Sequence, residues 1–179
     1  MKMKSIIAPV IAIVATALIL LGSGAALSKV AAVNAEKELN EMLATLLPGN
    51  TSFEWEAYDG EDESIMAVYK GETGFVIQTS AYGYAGEIVM MVGVSNEGTV
   101  TGLVVRDLSE TYGLGANALT DTEFLSQYLN TSGDAEVGKN IDAMTGATVS
   151  SKAVTRAVNT AVAYVTGADT TSSATTWGG

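Results

Sequence analysis

The sequence has no cysteine and no histidine, only two prolines, and nine Lys and Arg against twenty Asp and Glu. Without cysteine there can be no disulfide, no thiolate-held iron–sulfur cluster and no lipid-modified N-terminal Cys. Without histidine the chain lacks the commonest zinc ligand, haem ligand and general base. Redox chemistry would therefore need a bound organic cofactor. Acid–base chemistry would fall to carboxylates, Lys, Tyr or that cofactor. The net charge is −11, and so acidic a chain repels nucleic acid phosphates, which excludes a nucleic-acid role. No grouping of residues points to a metal site or to a catalytic acid–base pair. What remains is an apolar fraction of 47% in 179 residues, enough for one packed domain plus an anchor.

The apolar material is unevenly spread. Ile6 to Leu27 carries no charge. At ~1.5 Å per residue it is long enough to cross a hydrocarbon core of ~30 Å as a transmembrane helix. Lys2 and Lys4 precede it, which places the N-terminus in the cytoplasm and the acidic bulk on the periplasmic or extracellular side. The alternative is a cleaved signal peptide, with small pairs such as Ser23 and Ala25 at the cleavage site. The run exceeds a typical signal core, which favours a retained single-pass anchor in the cell membrane. On either reading the domain is exported. The span itself holds no ionisable group and so offers no ion path of its own.

Four regions follow: residues 1–28 as cytoplasmic stub and anchor, 29–50 as a helical connection, 51–167 as a folded domain, and 168–179 as a Ser/Thr/Gly-rich tail. Val30, Val33, Leu39, Met42, Leu43 and Leu46 recur at helical spacing until Pro48 and Gly49 stop the helix. Phe53–Tyr58, Ser64–Lys70 and Phe75–Ala81 read as strands. Ile88–Val94 is a continuous apolar run of strand length, so both of its faces are expected to be buried. Ser95 to Gly98 makes a hairpin turn, and Thr99–Arg106 returns as the partner strand. Asp121–Leu129 predicts a short helix capped by Asp121 or Thr120. Val149–Val165 predicts a last helix with Gly167 as C-cap and an apolar face of Val149, Ala153, Val154, Ala157, Val158, Ala161, Val162 and Val165. The expected class is α+β, a mainly antiparallel sheet packed with helices after an N-terminal transmembrane helix. Parallel βαβ alternation is absent, so a Rossmann reading fails.

The segment Asp142-Ala143-Met144-Thr145-Gly146-Ala147-Thr148 stands directly before the last helix. Small residues there let a bulky ligand approach the backbone. A helix start exposes unpaired N–H groups and the positive end of the helix dipole, which together welcome a phosphate. Thr145, Thr148, Ser150 and Ser151 add hydroxyls. On the plainer reading the Ser/Thr run is only an N-cap.

This segment resembles the FMN-attachment motif of the flavin-binding domain found in the Rnf and sodium-pumping NADH:quinone oxidoreductase complexes. In that family a flavin transferase moves FMN from FAD onto the last Thr of a [Ser/Thr]-Gly-Ala-Thr sequence, with an Asp upstream. The resemblance assigns Thr148 as the covalent acceptor, through the flavin's phosphate, and Asp142 as the residue that the transferase recognises. Thr145, Gly146 and Ala147 complete the motif. A second family signature, His-x-Glu-Thr-Pro-Gly-Leu-Gly, is similar to Leu108-Ser109-Glu110-Thr111-Tyr112-Gly113-Leu114-Gly115. Glu110, Thr111, Gly113, Leu114 and Gly115 match, and the resemblance makes them cofactor-binding. Leu108 and Tyr112 replace the family's His and Pro. The loop thus loses the fixed φ of proline and any hydrogen bond or proton route through that histidine. Taken alone, a Gly-Leu-Gly loop is an ordinary surface turn. Gly83-Tyr84-Ala85-Gly86 matches an earlier Gly-Tyr-x-Gly signature.

The resemblance covers about Phe75 to Val165. It implies the G-type member of an Rnf complex, which couples electron transfer between ferredoxin and NAD to movement of Na+ or H+. The chain would be an electron relay with little activity alone. Its partners would be the integral membrane subunits and the flavin transferase that loads it. Two other readings stand beside it. One is a stand-alone exported flavoprotein serving extracellular electron transfer. The other is a cofactor-free exported binding module.

Overall fold

The computed structural model describes residues 33–108 and 121–168. The expected transmembrane helix, the 108–115 signature beyond Leu108, and the tail from Asp169 lie outside the described residues. No helix among those described is long and apolar enough to cross a membrane. The chain divides between Glu41 and Met42 into two units.

Residues 33–46 are helical (α1). In the first unit Val33, expected on the apolar stripe, is 63% exposed. Lys37 and Glu41 form an ion pair spaced i,i+4 and open to water, where such a contact contributes little. In the second unit Leu43, Leu46 and Leu47 are buried.

Five strands then form one antiparallel meander in the order β1-β2-β3-β4-β5. They are β1 (Glu54–Glu56), β2 (Ile65–Lys70), β3 (Gly74–Tyr82), β4 (Glu87–Ser95) and β5 (Val100–Leu108). Two helices follow, α2 (Thr122–Ser126) and α3 (Thr148–Thr166).

Both faces of the sheet centre are covered, which accounts for the unbroken apolar run in β4. Ile88, Met90, Val92 and Val94 point into the main core with Ile77 of β3 and with Ala153, Val154, Ala157, Val158, Ala161 and Val162 of α3. A hydrogen bond from Thr79 Oγ1 to the Ala157 carbonyl (3.3 Å) fastens sheet to helix. Tyr164 meets Tyr58 and Phe75 edge-on at 5.9 and 5.8 Å. On the opposite face the end of α1 lies directly on backbone. A Cβ at Gly93 would stand 2.1 Å from the Leu46 carbonyl oxygen, and one at Gly102 would stand 2.9 Å from Leu46 Cα. Glycine at these two paired positions is what lets α1 approach. Val76 pairs with Gly93 and therefore shares that face. Thr101 Oγ1 donates to the Leu46 carbonyl at 2.6 Å. Buried Asn50 then ties the helix end to the β2–β3 turn, donating to the Leu47 carbonyl and to Thr73 Oγ1, and accepting from the Glu72 and Thr73 N–H groups.

Candidate functional site

The Thr145-Gly146-Ala147-Thr148 segment is a tight turn running straight into α3. The Ala147 N–H donates to the Met144 carbonyl at 3.0 Å. Gly146 stands at φ +80°. Thr145 is not in the left-handed region, so this is a type II turn, whose third position demands glycine. Ser151 closes it from inside. Its hydroxyl donates to the Ala147 carbonyl (2.9 Å) and accepts from the Met144 N–H (3.3 Å). One side chain thus holds both ends of the turn.

The helix begins at Thr148, one residue earlier than its sequence pattern suggests, with Ala147 at the N-cap. Ala147 is packed in the core and makes no side-chain cap. There is also no acidic residue in the first turn. Hence a helix of 19 residues starts with neither a capping side chain on its N-cap residue nor an acidic first turn. Reading the Ser/Thr run as a plain cap therefore fails. Thr148 itself is the first helical residue and is exposed. Because Cα–Cβ bonds tilt toward a helix N-terminus, its hydroxyl leans to the positive end of α3.

Two expectations need correction. Ser150 and Ser151 are fully buried. They sit on the helix face turned to the sheet, so they add no hydroxyl to the surface, and Ser151 is consumed in holding the turn. Val149, expected on the apolar face, is 47% exposed. Thr148 and Val149 both stand on the exposed side of α3. Val165 is half-buried, and the rest of the predicted face is buried.

Asp142 is exposed, while its main chain is held from α2. Gln127 Oε1 accepts from the Asp142 N–H at 2.7 Å, and Gln127 Nε2 donates to the Asp142 carbonyl at 3.4 Å. Sequence reasoning missed Gln127. A polar residue at the end of a short helix carries no signal that it clasps backbone fifteen positions on. It also missed a buried polar chain behind the turn. Tyr128 shares a 2.9 Å hydrogen bond with Thr155, whose hydroxyl donates to the Ser151 carbonyl. Burial pushes the Tyr128 phenol up to about 12, and the bond to Thr155 opposes this only in part.

The structure thus brings Thr145, Gly146, Ala147, Thr148 and Asp142 into one turn and its approach. Glu110, Thr111, Gly113, Leu114 and Gly115 lie outside the described residues. The setting suits a phosphate ester: an exposed hydroxyl at the positive end of a helix, no capping side chain on the N-cap residue and no carboxylate in the first turn.

Residues 83–163 match the FMN-binding domain family. The chain is 34% identical over 170 residues to the G subunit of the ion-translocating oxidoreductase complex of Methanosarcina acetivorans, covering 87% of this chain and 89% of that protein. It is 41% identical over 99 residues to the G subunit of the proton-translocating ferredoxin:NAD(+) oxidoreductase complex of Clostridium ljungdahlii, covering 51% of this chain and 53% of that one. It is 34% identical over 114 residues to the G subunit of the Na(+)-translocating ferredoxin:NAD(+) oxidoreductase complex of Acetobacterium woodii, covering 56% and 55%. The match to the Methanosarcina protein runs nearly end to end, the flavin-domain match spans the uncapped helix start, and the chain belongs to the FMN-binding family of G subunits of ion-translocating oxidoreductase complexes.

Proposed function

We propose that this chain is the electron-carrying G subunit of a membrane Rnf-type ferredoxin:NAD oxidoreductase that moves Na+ or H+, with FMN joined to Thr148 through its phosphate. The single observation that carries this reading is the exposed Thr148 hydroxyl at the first position of an uncapped helix. An FMN held there supplies one- and two-electron chemistry that no side chain of this cysteine- and histidine-free protein can offer. Thr148 presents the nucleophilic oxygen. Transfer from FAD would form its bond to the FMN-side phosphorus, release AMP and give up the hydroxyl proton. The first-turn N–H groups stabilise the remaining phosphate charge. Gly146 and Ser151 fix the turn that presents the hydroxyl, and Asp142 offers its exposed carboxylate to the flavin transferase. Glu110, Thr111, Gly113, Leu114 and Gly115 are assigned to the flavin's surroundings by their matching motif.

Outside the cytoplasm, where free FMN would be lost by dilution, a covalent tether keeps the ring at high local concentration. The uncharged run from Ile6 to Leu27, preceded by Lys2 and Lys4, supports a single membrane anchor with the flavin domain on the exported side. Integral membrane subunits are then the electron partners.

The test is co-expression of the full chain with a flavin transferase, followed by denaturing electrophoresis and intact-mass measurement. A fluorescent band and an FMN adduct on the peptide containing Thr148 are expected. A colourless chain of unmodified mass beside an active transferase overturns the attachment. A fluorescent Thr148→Ala variant overturns the site.

A further inference from the structure

The outer face of α3 carries a pattern that attachment at Thr148 does not itself require. Thr148, Lys152 and Arg156 are spaced i, i+4 and i+8 and are all exposed, so they form one stripe along the helix. The cations of the second unit are few. Lys70 pairs with Glu56 and Lys139 with Glu136. Arg106 rests against the Met42 sulfur at 3.6 Å. Among the described residues, neither Lys152 nor Arg156 has a carboxylate within ion-pair distance. Arg156 has another engagement, donating to the Tyr82 carbonyl at 2.9 Å and so tying α3 to the end of β3. Lys152 has none among the described residues.

Lys152 stands one turn beyond the start of a helix whose first turn carries no acid and whose N-cap residue makes no side-chain cap. Helical side chains also lean over the turn N-terminal to their own Cα, so the Lys152 ammonium extends toward Thr148. Two sources of positive potential therefore lie beside one exposed hydroxyl: the positive end of the helix dipole and a lysine without a carboxylate partner among the described residues.

We propose that Lys152 is the positioning residue for the flavin tether, its ammonium seating a non-bridging oxygen of the phosphodiester on Thr148. This rests on the attachment reading and adds to it the direction in which the tether leaves the helix. With the phosphate drawn toward Lys152, the ribityl chain starts along the outer stripe rather than out into solvent. Lysine acts here as a point charge, so arginine should substitute for it and a carboxylate should not.

The experiment uses the full chain loaded in the presence of a flavin transferase. Intact mass first establishes the adduct in the wild type, Lys152→Arg, Lys152→Ala, Lys152→Glu and, as a charge control, Lys70→Ala. The phosphorus-31 resonance of the phosphodiester and the flavin's fluorescence anisotropy are then read at low and high salt. The wild type, Lys152→Arg and Lys70→Ala should share a resonance that shifts as salt rises, and a common anisotropy. Lys152→Ala should show a displaced resonance insensitive to salt, Lys152→Glu a displaced resonance whose salt response is opposite in sign to the wild type's, and both should show lower anisotropy. Loaded Lys152→Glu that matches the wild type in both readouts overturns the role of Lys152 while leaving attachment intact. An unmodified wild type removes both.

Discussion

The two helices that follow the sheet begin in opposite ways. The five-residue α2 starts at Asp121, whose carboxylate accepts from the Glu123 and Phe124 N–H groups at 2.9 and 3.3 Å. The 19-residue α3 starts at a buried alanine that makes no side-chain cap. The short helix has few other contacts, so it depends on its cap. The long one is held by its buried face against the sheet and does not depend on a cap from its N-cap residue. The contrast separates a helix end held by its cap from one held by its packed face.

Four changes would break or sharpen that contrast. The largest effect is expected from Thr148→Ala, which should abolish covalent flavin while leaving the far-ultraviolet circular dichroism and thermal midpoint near those of the unloaded wild type. Next is alkaline pH. Tyr128 fastens the residues after α2 to Thr155 of α3, and its phenol is raised from 10 to about 12. The stability this represents is complete below pH 10 and is lost as pH rises through about 12. The loss should be on the order of 2 kcal/mol in urea melts, and Tyr128→Phe should flatten that slope. Third, Gly146→Ala forces a side chain into the φ +80° conformation and should cost about 1–2 kcal/mol. It should also slow loading of Thr148, whereas an equally destabilising change elsewhere should not. Smallest is Asp121→Ala, which should cost about 1 kcal/mol with flavin loading unchanged. A large fall in loading in that variant would show the two helix starts to be coupled.

Much of the fold was legible because strand signals here are local. The apolar run of β4, its Ser95–Gly98 turn and the return strand appear within a residue or two of where their pattern puts them. Gly167 is in the left-handed C-cap conformation expected of it. The Thr145-Gly146-Ala147-Thr148 segment was legible as a motif, but its orientation was not. Val149 and Ser151 both lie near the edges of the apolar stripe, where periodicity does not decide which of them is buried, and small hydroxyl residues count against burial. Small hydroxyl residues read as surface, although Ser151 and Thr155 are buried because each returns a hydrogen bond to a carbonyl one turn back. The approach of α1 to Gly93 and Gly102, and the clasp of Gln127 on residue 142, join segments distant in sequence and leave no local trace.

That clasp has a bearing on when the cofactor can be acquired. Asp142 and Thr148 are six positions apart in any state of the chain, but in the folded domain the Gln127 clasp on the main chain of residue 142 helps hold Asp142 at a set distance from the hydroxyl proposed to accept the flavin. A loading enzyme that reads both groups would then modify finished domains and pass over nascent ones. The yellow colour would serve the cell as a mark of correct folding, and loading yield should fall in step with the folded fraction as urea is added.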